Sequence, residues 1–484
     1  MLTGNKSEPK LKSNFIYNIL YRISTLIVPL ITTPYVSRIL GSENSGVYNY
    51  TYTIAQYFVI LGCFGFENYG NRQIAKVRDN QELLNKTFSS IFGLQICTSL
   101  LAIISYAGYL ILYCTEYKMF MLISSFYVVA TLFNITWVYY GLERFKNTAI
   151  RSIVIRFLSL ILIFLLVKNK SDVDIYITIL AILELVNQIA LWFHLFKYVH
   201  FVPVTLKEIC SHIKRCTLLF FPILLFNIYS LMDKLMLGQF SSMIETGYYS
   251  YALKIVEIPF HFITAIGVVM LPRMTNLIAN KQYEKSMFYI ERTLRYNSLV
   301  GSAMAFGLIA VSNDLAIQFL GTEYKACSIL ICIMAPMILV RAWANVIRTQ
   351  YLMPNLMDIP YVMSLVLGVI INLILNALLI KSYGAAGAAF ATLITESTVA
   401  FVQILVVVKK IPIIQYLKIN IPFFINGIIM LLVVSLFYKY VHGSIVALFL
   451  QVLLGGGIYI ILSLTYLKRL GDPLIDKLLN INRS

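Results

Sequence analysis

Within the apolar stretch 246–271, Lys254, Glu257 and His261 follow one another at i, i+3 and i+7. A helix there carries three ionisable groups on one face, with Gly247 and Tyr251 continuing the stripe. A second apolar stretch, 217–238, holds the adjacent pair Asp233 and Lys234 near its end; Asn227 and Ser230 share the face of Lys234, and Asp233 lies about 100° round. Arg22, Arg156, Glu184, Arg341 and Glu396 are further charges inside apolar stretches, and Ser364, Gly368, Asn372 and Asn376 form a polar stripe at i+4 spacing. A charge at bilayer depth costs roughly 2.5–3.5 kcal/mol on insertion scales, so such a side chain faces a wet cavity or a partner. The chemistry on offer is electrostatic. Lys and Arg neutralise anions, whereas buried acids and histidine take up a proton or a cation.

Each of these residues also has a plainer explanation. Lys234, Arg38 and Arg156 lie near the ends of their stretches, where long cations snorkel to the interface. Asp233 and Lys234 are sequence neighbours and cannot face each other on a helix, so each pairs across helices. Glu184 and Glu396 occupy matching places in an internal repeat, which suits a packing role. The asparagine stripe suits interhelical hydrogen bonding, and a single His261 suits a satisfied bundle residue. Most of the 33 tyrosines suit packing or an interfacial belt.

The elements that position these groups are membrane spans. The chain has 484 residues, of which 59% are hydrophobic and 13% charged, with a mean hydropathy of +0.78. A soluble protein of this size needs far more polar surface. Apolar runs of about 20 residues recur throughout. Fourteen spans are expected, near 14–39, 45–70, 88–113, 119–141, 150–167, 174–198, 217–238, 246–271, 294–319, 326–350, 359–381, 385–408, 417–438 and 444–467. The fold class is therefore an all-α polytopic membrane protein. The opening MLTGNKSEPKLKS lacks a small-residue cleavage site, so no signal peptide is expected. The seven cysteines show no CxxC or His/Cys spacing, and GxxxxGK[ST] is absent, so no disulfide, metal, P-loop or other cofactor is indicated.

Placing the N-terminus in the cytoplasm puts 27 Lys and Arg on inward segments, seven on outward ones and five within spans. That bias predicts cytoplasmic termini and assigns the net charge of +17 to topology rather than to nucleic-acid binding. The outward loops are short, which argues against a glycosyltransferase, polymerase or ligase that must hold donor and acceptor outside the membrane. "RILGSENSGVYNYTYTIA" resembles "LMLGQFSSMIETGYYSYALKIV" about 200 residues on, through Leu40-Gly41 and Leu237-Gly238, then Gly46 and Gly247 followed by tyrosines. The repeats begin on spans of the same direction, so two six-helix lobes are expected, 1–205 and 206–410, joined by the basic stretch 199–216. A further helix pair and tail occupy 411–484.

The stretch from Asn14 to Lys76 is similar to the opening of Wzx-type polysaccharide repeat-unit flippases (O-antigen or capsule) of the multidrug/oligosaccharidyl-lipid/polysaccharide exporter superfamily. Pro34-Tyr35, Arg38-Ile39-Leu40-Gly41, Gly46 and Gly70-Asn71-Arg72 carry most of the match, and "MDKLMLG" (Met232 to Gly238) resembles the family's seventh span. The resemblance implies two lobes around a central cavity and no enzymatic step. It implies transfer of undecaprenyl-pyrophosphate-linked oligosaccharide to the outer leaflet of a bacterial cytoplasmic membrane by alternating access. The implied partners are that lipid-linked cargo, membrane lipid and other polysaccharide-assembly proteins. On this reading Arg22, Lys234, Lys254 and Arg341 are candidate phosphate contacts, and Tyr251, Asn372 and Asn376 candidate cavity residues. Asp233, Glu257, His261, Glu396 and Arg38 are candidates for gating or for coupling to a proton or sodium gradient. A cation-coupled multidrug exporter and a lipid II flippase of the same superfamily are the alternatives. Asp233 and Lys234 suggest a gate pairing with the other lobe, and Lys254 the better cargo residue.

Overall fold

The computed structural model describes residues 11–471, and all of their regular secondary structure is helical. In order these are α1 (Leu11–Cys63), α2 (Phe66–Val77), α3 (Gln81–Leu112), α4 (Lys118–Ala130), α5 (Thr136–Gly141), α6 (Phe145–Leu166), α7 (Val173–Ile189), α8 (Trp192–Leu195), α9 (Leu206–Cys210) and α10 (Ile213–Phe240). There follow α11 (Met243–Ala279), α12 (Tyr283–Leu315), α13 (Cys327–Met334), α14 (Met337–Val346), α15 (Asp358–Val407), α16 (Ile413–Tyr438) and α17 (Ile445–Leu470).

Twelve helical segments among the described residues have the length and hydropathy to cross a membrane. Fourteen were expected from the apolar runs. The difference has a local cause in α1 and α15, which are 53 and 50 residues long. Each would reach about 75–80 Å if straight, more than twice the hydrocarbon core. Each instead leaves helical geometry at one glycine, Gly41 (φ 76°) and Gly384 (φ 52°, ψ −133°), so the spans expected at 14–39 and 45–70, and at 359–381 and 385–408, run into one another. Gly384 is needed twice over. Its φ is strained for any L side chain, and a Cβ there would lie 2.7 Å from Glu245 Oε2. That oxygen accepts the Ala385 amide at 2.7 Å, so Glu245 caps the second half of α15.

The chain divides into two compact units, Met1–Leu231 and Met232–Ser484. The division falls inside α10, not in the stretch 199–216 expected as the linker, because α10 is continuous and serves both sides. Cys216 belongs to a core with Phe66, Ile74, Phe88 and Trp137, while Met236 and Leu237 belong to a core with Tyr249, Ile331 and Ala388. The Gly70 of the singled-out Gly-Asn-Arg motif is explained by packing in the first unit: a Cβ there would lie 2.5 Å from the Trp137 ring.

In the second unit α16 and α17 are fastened to α12. Asp314, 2% exposed, accepts the Gln451 amide at 2.7 Å and the Gly443 backbone N–H at 3.1 Å, and Tyr459 donates to the Leu299 carbonyl at 2.7 Å. Asp314 lies inside the expected span 294–319 but was not among the charges singled out there. Asp314→Ala strands two donors and is expected to cost about 1–3 kcal/mol. Limited proteolysis in detergent micelles should then cut between residues 439 and 444 several-fold faster; an unchanged rate would count against the anchoring role.

Candidate functional site

The charged residues of the second unit fall into two groups, one sealed and one accessible. Asp233 is 1% exposed. Its Oδ1 accepts the side-chain amides of Asn372 (3.0 Å) and Asn376 (2.6 Å), and its Oδ2 accepts the hydroxyls of Thr392 (2.7 Å) and Tyr249. All four donors are neutral, and no Lys or Arg nitrogen lies within 4.0 Å among the described residues. The fold assembles this set locally. The polar stripe of α15 faces the helix's own second half across the Gly384 break: Gln403 donates to Ser364 at 3.1 Å, and a Cβ on Gly368 would meet Val399 at 2.7 Å. Asn372 and Asn376 thereby meet both Thr392 and Asp233.

This arrangement revises three expectations. Asn372 and Asn376 have no exposed surface and hold a carboxylate instead of lining a cavity. Tyr251 is 6% exposed and packs edge-to-face on Tyr324 with ring centroids 5.2 Å apart, because it sits at the margin of its stripe, where α11 meets the core. Asp233 finds its partners within its own unit, so it is not a gate residue reaching for the other lobe. Tyr249 and Thr392 were missed as partners. Their only advance signals are that Thr392 lies one turn before Glu396 and that Tyr249 is among the tyrosines following Gly247 in the repeat.

The second group lies on the adjoining faces of α10, α11, α14 and α15. Arg341 is the centre of an ion network, with its guanidinium 2.7 Å from Glu396 and 3.7 Å from Glu257, and it lies over the Phe260 ring at 5.4 Å. Its side chain is 13% exposed and that of Glu396 only 7%. Arg341 was expected to meet a phosphate, and Glu257 and Glu396 a coupling ion; here they neutralise one another, as buried charges must. Lys254 differs. It is exposed and makes no ion pair within 4.0 Å among the described residues, with its ammonium 6.0 Å from the Tyr251 ring centroid. Lys234 is half-buried and within electrostatic reach of Lys254, Glu257 and Asp233. His261 and Arg38 are exposed. The Arg22 side chain lies outside the described residues.

Lys254 stands eleven residues into α11, about 17 Å along its axis from Met243. A lysine at that depth, exposed yet unpaired, is too costly to leave in hydrocarbon. It faces water or an anion, beside a second lysine.

The family model of polysaccharide biosynthesis proteins matches residues 11–278. A relative from Escherichia coli (strain K12), named as an O-antigen transporter, is 24% identical over 408 residues, covering 83% of this chain and 98% of its own. One from Haloferax volcanii, named as a low-salt glycan biosynthesis flippase, is 25% identical over 164 residues, or 34% of each chain. Among solved structures, the lipid II flippase MurJ in an inward closed conformation superposes with a TM-score of 0.77 at 18% identity, covering 94% of this chain and 99% of that one. A multidrug resistance transporter of the MATE family, in an inward-facing conformation, gives 0.62 at 14% identity, covering 83% and 99%. These superpositions establish the fold. With more than half of its length matched by the family's model, this multi-pass membrane chain belongs to the polysaccharide biosynthesis protein family.

Proposed function

We propose that the chain is a flippase. It carries polyprenyl-pyrophosphate-linked oligosaccharide repeat units from the inner to the outer leaflet of the bacterial cytoplasmic membrane, with both termini in the cytoplasm. It leaves the cargo chemically unchanged. The observation that carries this reading is Lys254, an exposed, unpaired cation inside a span with Lys234 beside it. A pyrophosphate headgroup brings the anionic partner that Lys254 lacks. The names of the curated relatives, an O-antigen transporter and a glycan biosynthesis flippase, point to the same cargo class.

Coupling is assigned to Asp233. A fully buried carboxylate with only neutral donors is stable in a working cycle when a proton or a small cation joins it. The residues around it fit such an ion. Asp233 and Thr392 present oxygens, the Asn372 and Asn376 carboxamides, which now donate their N–H groups to Asp233, would turn their oxygens in on binding, and the Asn376 Oδ1 atom is already buried with no hydrogen-bond partner. Asp233, Asn372, Asn376 and Thr392 would hold a sodium ion or, with Asp233 alone protonated, a proton. The bound ion would put a positive charge in direct contact with the carboxylate, which Lys234 reaches only at a distance, and its departure would destabilise this packing of α10 against α15.

Deleting the gene should abolish surface polysaccharide and leave lipid-linked repeat units accumulating on the cytoplasmic face. Plasmid-borne wild type should restore the polymer, and Lys254→Ala should restore less than about a tenth of it at equal membrane abundance, since a lost charge-assisted contact of about 1.5–3 kcal/mol is worth roughly 10- to 150-fold. Unchanged polysaccharide in the deletion strain, with drug susceptibility in its place, would replace this reading by the multidrug exporter.

A further inference from the structure

The first unit contains a half-open cavity of about 240 Å³ lined by α1, α4 and α7 and by the break between α4 and α5. Its wall is built from an interrupted span. Helix α4 gives way at Thr131–Phe133 to a single tighter turn, and Asn134 is extended before α5 resumes. Gln95 takes up the carbonyls this releases, donating to Thr131 O at 2.9 Å and Asn134 O at 3.0 Å, while its own oxygen accepts the Trp137 indole N–H at 2.9 Å. Irregular backbone at membrane depth persists where it lines a cavity. Here it turns Thr131 and Asn134 towards one.

The lining is amphipathic in a particular way. Tyr52 and Tyr127 cross edge-to-face, with centroids 5.0 Å apart and planes at 80°, and so offer an aromatic corner. Facing them are three carboxamides, Gln56, Asn134 and Gln188, and one carboxylate, Glu184, which accepts Gln188 Nε2 at 2.6 Å. The Gln188 Oε1 atom is buried without a hydrogen-bond partner, the carboxamide of Gln56 makes no hydrogen bond, and Glu184 makes no ion pair among the described residues. No Lys or Arg is among the lining residues, and Arg151 and Arg156 reach Glu184 only at a distance, so a phosphate entering the cavity would meet a carboxylate first. An apolar drug would strand the polar groups. A pyranose satisfies both halves: its C–H face packs on the aromatic corner while its hydroxyls, each donor and acceptor, bridge carboxamides and carboxylate. The volume is below the roughly 300–1,000 Å³ of pockets for drug-sized ligands, a size that suits one sugar ring with the rest of the cargo outside the open side.

We propose that this cavity is a monosaccharide subsite, where one sugar of the lipid-linked cargo docks against Tyr52, Tyr127, Gln56 and Glu184 during translocation. The assignment rests on the flippase reading and adds to it a place, distant in sequence from the lysines, where sugar identity is read. Phosphate affinity and sugar selectivity then reside in different units of the chain.

Cys63 also lines the cavity and reports on its occupancy in the unaltered protein. Purified full-length chain in lipid vesicles is treated with a small maleimide, and modification of the Cys63 peptide is followed by mass spectrometry. The two probes are undecaprenyl pyrophosphate bearing the host cell's own repeat unit and undecaprenyl pyrophosphate without sugar. The sugar-bearing lipid at saturation should slow Cys63 labelling by about fivefold or more, since only empty protein reacts. The bare lipid should leave the rate unchanged. Flipping is measured in the same vesicles. Gln56→Leu should raise the half-saturating concentration of the sugar-bearing lipid by about five- to tenfold, the value of one or two hydrogen bonds, and leave that of the bare lipid unaltered. Equal protection by both lipids, or none while wild type flips the cargo, would overturn the subsite and spare the flippase reading. Wild type that flips neither lipid would overturn both. If Glu184→Gln flips sugar-bearing lipid with unaltered half-saturation but has lost its dependence on an ion gradient, the cavity is an ion site and the sugar assignment is wrong.

Discussion

Asp233→Ala is expected to abolish transport and to destabilise the second unit by about 2–4 kcal/mol. The substitution removes the acceptor shared by Tyr249, Thr392, Asn372 and Asn376 in a site that water does not reach; Thr392 keeps the Ala388 carbonyl at 2.8 Å and Asn376 the Asn372 oxygen at 3.1 Å, but the Asn372 amide is stranded and the Tyr249 hydroxyl keeps only Thr392 at 3.0 Å. Each stranded buried donor costs about 1–3 kcal/mol, partly offset because a costly buried charge has also gone. Asp233→Asn separates the two consequences. It preserves shape, so the unit should fold and insert with a smaller loss, yet an amide can take neither a proton nor a cation. Its transport should therefore be as low as that of the alanine variant. Thermal unfolding in detergent, read by size exclusion after heating, and complementation of the deletion strain measure the two quantities. An asparagine variant with wild-type output would show that Asp233 is only a packing node.

The second large effect is expected at Arg341. Removing it as Arg341→Ala leaves Glu396, whose side chain is 7% exposed, without its 2.7 Å partner and also frees Glu257. Breaking one side of a buried pair costs about 3–5 kcal/mol, so little of this variant should survive heating that wild type tolerates. The double variant Arg341→Leu with Glu396→Leu strands no buried charge, because the remaining acid, Glu257, has a side chain 41% exposed, and it should recover most of the lost stability. If Arg341 only balances the two acids, the double variant should also recover transport. If Arg341 meets phosphate during the cycle, stability should return and transport should not. Equal instability in the single and double variants would contradict the pairing seen here.

Particular residues show how far the sequence carried the interpretation. Apolar run length revealed the spans, because bilayer thickness fixes it, but the breaks at Gly41 and Gly384 are single-residue events inside continuous helices and altered the count. The spacing of Lys254, Glu257 and His261 placed them on one face, and all three have accessible surface. Tyr251, at the edge of that same face, is in the core, since helical spacing locates a stripe only to within its width. The asparagine stripe was visible as a pattern, whereas its object was not: Asp233 is 139 residues from Asn372 and 159 from Thr392. Arg341 presented the same difficulty. Its charge and depth were legible, but the acids that neutralise it lie on α11 and α15 and come together only through packing. Spacing along one helix thus foretold which groups travel together, and only the fold decided which of them are consumed by one another. Lys254, the residue left over, is what makes an anionic cargo the economical explanation.

The most direct test is translocation by the purified chain alone. Vesicles containing the full-length protein and undecaprenyl pyrophosphate bearing the host's repeat unit would be assayed for transfer of that lipid between leaflets, with an ion gradient imposed across the membrane. Wild type should move the lipid faster than protein-free vesicles by at least about tenfold, Lys254→Ala should fall close to the protein-free rate, and both should show the same abundance and melting profile. Wild-type vesicles no faster than empty ones, or a Lys254→Ala protein as fast as wild type, would contradict the account.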